Sequence, residues 1–148
     1  MNQILTYPLW IGHGGEGHDF PAIFAAGIEA VVELAVEEPA LPSPRDQIAC
    51  RFPLHDGAGN RPEMLVLAIR TVASLVESDI PTLVCCNGGM SRSPAIVAAA
   101  LALVHHDTPE ACLKQVTYHH PSDVSPGLWR EIVRLPHGLL EVGSLVRG

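Results

Sequence analysis

Leu83-Val84-Cys85-Cys86-Asn87-Gly88-Gly89-Met90-Ser91-Arg92-Ser93-Pro94 is the stretch on which the reading of the fold turns. It opens apolar, as a buried strand does, breaks at two glycines, and runs from Pro94 into a long Ala- and Val-rich segment that reads as a helix. The first turn of a helix carries unpaired N–H groups and a partial positive charge. A loop of successive N–H groups leading into it makes a concave nest for a phosphate-sized anion. Gly88 and Gly89 allow the backbone angles and the close approach that a nest requires. Cys86 and Arg92 bracket the loop as Cys-x5-Arg. A thiol at the floor of such a nest loses its proton readily, because the same field stabilises the thiolate. A planar guanidinium can grip two oxygens of a phosphoryl group, which an ammonium cannot. Cys86 is therefore read as a nucleophile and Arg92 as a clamp for phosphate and transition state. Asn87, Gly88, Gly89, Met90 and Ser91 are read as the phosphate-binding loop, and Ser93 as a hydroxyl that hydrogen-bonds the sulfur. The spacing alone is weak evidence; the strand before it, the paired glycines and the helix after it give it weight.

Downstream of this stretch, Pro94 suits the first turn of a helix, where its missing N–H costs little. Ala95 to His105 is apolar nearly all round and predicts a buried helix. Thr108 and Pro109 cap and open another to about His119, and Ser125-Pro126 repeats the device for a last helix to about Leu135. The tail from Pro136 carries no strong signal. Upstream, Asn60 with Glu63 resembles a capping box, and Met64, Leu65, Ala68, Val72, Leu75 and Val76 share one helical face. Gln47 to Leu54 reads as a strand with Ile48, Cys50 and Phe52 on one side. Glu37 to Asp46, acidic and carrying Pro39, Pro42 and Pro44, reads as a surface loop, and Ile28 to Ala35 as a buried strand. Asp19 is a candidate N-cap for a helix over Phe20 to Ala26, stopped by Gly27. Two short strands flank Pro8 within Gln3 to Ile11. Strands alternating with helices predict a three-layer α/β/α domain with a mostly parallel central sheet, one domain over 1–148.

Gly12-His13-Gly14-Gly15-Glu16-Gly17 matches Gly-x-Gly-x-x-Gly after a strand, the fingerprint of dinucleotide binding. A helix beginning inside that run would meet Pro21 in its first turn, and Glu16 and Asp19 would face the pyrophosphate. A glycine-rich turn is the better reading.

Cys86-Asn87-Gly88-Gly89-Met90-Ser91-Arg92-Ser93 resembles the signature loop of the cysteine-dependent protein phosphatases, and most of all the His-Cys-x-x-Gly-x-Ser-Arg-Ser loop of the small dual-specificity group. Leu9-Trp10-Ile11-Gly12 is similar to the family's Leu-x-Ile-Gly strand. Pro53-Leu54-His55-Asp56 is similar to its Pro-x-x-Asp pattern, which carries the general acid in a loop after a strand. The resemblance runs from Leu9 to about Leu135. It implies a protein phosphatase of dual tyrosine and serine/threonine specificity that needs no metal or cofactor. Cys86 would form a cysteinyl-phosphate while Asp56 protonates the leaving group. Water would then release phosphate, with Asp56 as base and Ser93 assisting the sulfur. The loop lacks the basic residues of family members that act on phosphoinositides, so a phosphorylated protein is the implied partner. One position departs: the family's histidine before the nucleophile is Cys85. That substitution opens an alternative reading, a phosphate-binding module with little turnover. A sulfur-transfer enzyme also uses a cysteine loop ahead of a helix.

The chain has 148 residues, 47% of them apolar, a net charge of −7 and a pI near 5.5. That balance argues against a nucleic-acid groove or an anionic membrane as partner. Met1-Asn2-Gln3-Ile4 lacks the basic-then-apolar pattern of a secretory leader. Cys50, Cys85, Cys86 and Cys112 do not form a disulfide framework, and a cytoplasmic setting is expected. Under oxidation Cys85 or Cys50 could pair with Cys86. The histidine pairs 13/18, 105/106 and 119/120 lack a second ligand set at zinc spacing and read as surface or cap residues.

Overall fold

The computed structural model describes residues 1–40 and 42–140. Position 41 of the predicted acidic loop and positions 141–148 of the tail lie outside them. Strand β1 (Asn2–Gln3) and β2 (Leu9–His13) lead through a single 3-10 turn at Glu16–His18 to helix α1 (Phe20–Ala25). Strands β3 (Ala30–Ala35) and β4 (Ile48–Leu54) precede α2 (Pro62–Glu77). Strand β5 (Thr82–Cys86) is followed by α3 (Arg92–His105), α4 (Pro109–His119), α5 (Pro126–Val133) and α6 (His137–Leu140). The sheet order is β1-β2-β5-β3-β4, with β1 antiparallel to β2 and the other four strands parallel.

β5 lies at the centre and all five of its residues are buried, which is why it reads as an uninterrupted apolar run. Its side chains alternate between two cores. Val84 and Cys86 join the large core built with α2, α3, α4 and α5, whereas Leu83 and Cys85 join a small core with Ile23 of α1. Three layers result, thin on the α1 side. α3 is walled in by α2 and α4, so its first turn, which carries the loop, rests on a rigid support. Parallel pairing places the carboxyl ends of β2, β3, β4 and β5 on one edge of the sheet. The loops opening at Gly14, Val36, His55 and Asn87 therefore meet there.

Several local expectations need correction. β3 begins at Ala30, because the Ile28 N–H bonds back to Ile23 and closes the α1 turn. On edge strand β4, Cys50 and Phe52 pack on the large core but Ile48 is exposed. Asn60 is not a helix cap: α2 starts at Pro62 without a side-chain cap, and Asn60 is buried one residue farther out. Two other expectations hold: the Gly-x-Gly-x-x-Gly run is a turn around the 3-10 segment, and Asp19 caps α1 by accepting the Ala22 N–H. Its last glycine has a packing role. A Cβ on Gly17 would stand 2.7 Å from the Cys85 sulfur. Among the described residues no helix is long and apolar enough to cross a membrane.

Gly17→Ala is expected to destabilise the fold by about 1–3 kcal/mol through overpacking. In a Cys85→Ala background the loss should shrink, and urea unfolding of the two single variants and the double variant measures that coupling. Purely additive losses would show that the two residues do not press on one another.

Candidate active site

The loop after β5 is held from outside by its carbonyl groups. The Gly14 N–H donates to the Asn87 carbonyl (3.1 Å), the His120 ring to the Gly89 carbonyl (2.6 Å) and the Asp123 N–H to the Met90 carbonyl (2.7 Å). In a trans peptide the C=O and the following N–H point in opposite directions. The N–H groups of Gly88, Met90 and Ser91 are thus turned away from these three braces, onto the concave side of the loop. Gly89 has φ +72°, and a Cβ there would meet the Gly12 carbonyl oxygen at 2.8 Å, so only glycine fits. Gly88 has open space around it and no positive φ, so its glycine is not demanded by the backbone.

His120 is buried at the end of α4. A carbonyl can only accept, so Nε2 carries the proton; Nδ1 then accepts from the Asn2 side-chain amide at 2.9 Å. The reading as a cap residue holds, since His120 is the C-cap of α4, but its ring is buried and braces the loop. Nothing local in the sequence marks it, because both of its partners come from distant elements.

Arg92 opens α3 and is only 3% exposed. Its Nη1 donates to Glu37 Oε1 (2.5 Å) and to the Leu54 carbonyl (2.9 Å), and its Nη2 to Glu37 Oε2 (2.6 Å). The Glu37 hydrogen bonds hold that carboxyl down at about 2 and push the guanidinium upward. One planar fork is therefore occupied. Nε is buried with no partner among the described residues. Nε–H and the remaining Nη2–H form the second fork of the group, which suits two oxygens of a tetrahedral anion. Glu37 lies in a surface turn, as its sequence context predicts, and that turn, just past β3, stands on the sheet edge where the loops converge.

Asp56 stands beside the same loop. Its Oδ1 accepts from the Ser91 hydroxyl (2.6 Å), which in turn accepts the Ser125 N–H (2.9 Å). The Asp56 loop is tied at both ends. Asn60 accepts the His55 N–H and donates to the His55 and Gly57 carbonyls, while Glu131 of α5 accepts the N–H groups of Gly59 and Asn60. Asp56, Cys86, Gly88, Met90, Ser91, Arg92 and Asp123 line one cavity of about 230 Å³. Of the residues read as the site, Asp56, Cys86, Gly88, Met90, Ser91 and Arg92 line it, and Asn87, Gly89 and Ser93 do not. The Ser91 side chain serves Asp56, and the Asn87 and Met90 side chains are exposed. Ser93 is fully buried in the first turn of α3, its hydroxyl without a partner among the described residues. A cavity of similar size, about 250 Å³, lies among α2, α3, α5 and α6, and no cysteine or arginine lines it.

Cys85 and Cys86 project to opposite faces of β5. The Cys85 thiol lies 3.7 Å from the Val32 carbonyl; burial, and then the Glu33 carboxylate, push its ionisation strongly upward. It stays a thiol, packed in the small core. A bridge between the two would require β5 to unpair, and Cys50 is separated from β5 by β3. Two other histidines stand against partners distant in sequence: His18 Nε2 lies 2.7 Å from a Glu33 carboxylate oxygen, and His105 is hydrogen-bonded to the Tyr7 hydroxyl (2.6 Å). Among the described residues no trio of His, Cys, Asp or Glu is placed to hold a metal ion.

No family model and no curated protein sequence matches the chain. Solved structures do. Human DUSP28 superposes with a TM-score of 0.78 at 19% identity, covering 100% of both chains. DUSP15 does so with a TM-score of 0.79 at 16% identity, covering 99% of this chain and 94% of its own. The human tyrosine phosphatase-like serine/threonine/tyrosine-interacting protein gives a TM-score of 0.73 at 16% identity, covering 100% and 98%. The chain has the fold of the small dual-specificity and tyrosine phosphatases.

Two predictions follow from these braces. His120→Ala leaves the Gly89 carbonyl unpaired and is expected to weaken inorganic phosphate binding by roughly tenfold, the equivalent of about 1.4 kcal/mol. His120→Gln, which keeps a donor near Nε2, should restore most of it by calorimetry. The Glu37 carboxyl is depressed, so its contribution to stability is fully present above its ordinary value of 4.5 and is lost as pH falls toward about 2. Glu37 itself is 46% exposed, but Glu37→Gln leaves the buried Arg92 guanidinium with neutral acceptors only, and should cost about 1–3 kcal/mol. Thermal unfolding should show that loss constant between pH 5 and 8, with wild type and variant converging near pH 2.

Proposed function

We propose that this chain is a phosphomonoester hydrolase acting on phosphorylated proteins, with 1–148 as a single catalytic domain. The observation that carries the reading is the free fork of buried Arg92, in one cavity with Cys86 and a loop whose N–H groups face inward. A phosphoryl group would seat its oxygens on that fork and on those amides. The Cys86 thiolate attacks phosphorus, and the S–P bond forms as the substrate P–O bond breaks; Asp56 gives its proton to the departing oxygen. Water, deprotonated by Asp56, then attacks the cysteinyl-phosphate, and the Ser93 hydroxyl hydrogen-bonds the departing sulfur. The steps use the chain's own groups, with no metal or cofactor. Free thiols at all four cysteines suit a reducing compartment such as the cytoplasm. The cavity lining holds no lysine and two carboxylates, which favours phosphoproteins of either tyrosine or serine/threonine type over phosphoinositides.

A second reading, a phosphate-binding module with little turnover, is favoured by one observation. The histidine that precedes the family's nucleophile is here Cys85, buried and facing away from the loop. One protein of this fold carries a phosphatase-like, interacting-protein name.

Hydrolysis of a small aryl phosphate across pH 5 to 8 separates the two. Turnover is expected for wild type and none for Cys86→Ser. Asp56→Asn should lose about 10²–10⁴ in rate, most of it on the acid side. A wild-type protein that binds phosphate without turning over the ester would instead establish the binding module.

A further inference from the structure

Asp123 borders two hollows. On one side it closes the cavity over Cys86 and Arg92. On the other it heads an open groove of about 370 Å³ between α4 and α5, lined by Leu113, Thr117, Val124, Pro126 and Trp129 together with Ser122. Leu113 and Thr117 are one turn apart on α4, and Pro126 and Trp129 are nearly so on α5, so each helix offers one face to the groove. Leu113, Val124 and Trp129 also pack on the large core, which fixes the floor. The Asp123 N–H is bonded to the Met90 carbonyl, so the groove is held in register with the phosphate loop.

The charges are one-sided. In the groove lining the Asp123 carboxylate is the sole charge, and in the cavity Asp56 and Asp123 stand against Arg92 alone. Arg92 is already paired with Glu37. Once a phosphoryl group has taken the free fork, every unpaired charge left on the cavity wall and in the groove is negative.

We propose that this groove is a subsite for the chain flanking the phosphorylated residue of a phosphopeptide. An apolar side chain within a few residues of the phosphate seats between Leu113 and Trp129, and a Lys or Arg of the same peptide pairs with Asp123. A second phosphate or an acidic flank is rejected by like charge. The inference rests on the reading of the loop as a site for a protein-borne phosphoryl group.

The test is fluorescence polarisation of labelled phosphopeptides with the Cys86→Ser chain, run beside aryl phosphate hydrolysis by the wild type. Three peptides share one phosphoresidue: one with a basic and an apolar flank, one with the basic residue made acidic, one with the apolar residue made glycine. The first should bind about tenfold tighter than either of the others. Asp123→Lys, at an exposed position, should reverse the charge preference. Trp129→Ala should erase the apolar advantage and leave aryl phosphate hydrolysis unchanged in the otherwise wild-type chain. Equal affinities for the three peptides overturn the subsite, whatever the hydrolysis shows. The predicted ranking without any hydrolysis keeps the subsite and overturns the hydrolase. A dimer that Trp129→Ala dissolves, seen by sedimentation, would give the groove to a second copy of the chain and also overturn the proposal.

Discussion

A guanidinium that is 3% exposed has to be paired, and that requirement organises one whole edge of this protein. Arg92 enters at the first turn of α3, beneath the ends of the parallel strands. It cannot leave its charge uncompensated there, so it draws in Glu37 from the loop after β3 and the Leu54 carbonyl at the end of β4. The ends of three consecutive strands, β3, β4 and β5, are thereby tied at one point. The same pairing selects which donors remain. Because Glu37 fills one fork, the other is left aimed at the thiol-bearing loop, and the buried Nε without a partner is the trace of that division. Exchange of Arg92 for lysine would retain the charge and lose the division, since an ammonium has no second planar fork.

The loop itself obeys a complementary rule. Its amides can face inward only if its carbonyls are satisfied outside, since a buried carbonyl left unpaired is costly. Gly14, His120 and Asp123 supply the donors, from the turn after β2, the end of α4 and the segment before α5. The nest is therefore a property of the packed domain more than of the loop sequence. Asp56 is placed by the same logic: Ser91, inside the loop, donates to it, while Asn60 and Glu131 close the segment that carries it.

What could be read in advance follows from how local each signal is. β5, the buried α3, the Thr108 and Asp19 caps and the alternation of strands and helices were legible, because periodicity and capping are written within a few residues. The pairing of Cys86, Arg92 and Asp56 in one cavity was legible because a short loop fixes the first two and a strand end delivers the third. Glu37, His120 and Glu131 were not. Each acts across many intervening residues, and each belongs to a type that is normally solvated, so its isolated sequence context points outward. Asn60 failed differently. Three residues before Glu63 it fits a capping box, but the His55 and Gly57 backbone groups offered it more bonds than the helix end did.

Position 85 can be placed within this scheme. On a buried central strand, a side chain next to Cys86 faces the thin layer, where the 3-10 turn and α1 lie close to the sheet. Gly17 approaches the Cys85 sulfur so nearly that even a methyl group there would collide. An imidazole at position 85 would need that turn to move away. The chain has instead a small, un-ionised thiol inside the layer and an imidazole, His120, on the far side of the loop, where its Nε2–H takes the Gly89 carbonyl and Asn2 fixes its tautomer. The loop is thus braced by a histidine at the end of α4. On the other face, the last glycine of the Gly-x-Gly-x-x-Gly run lets the turn close over Cys85.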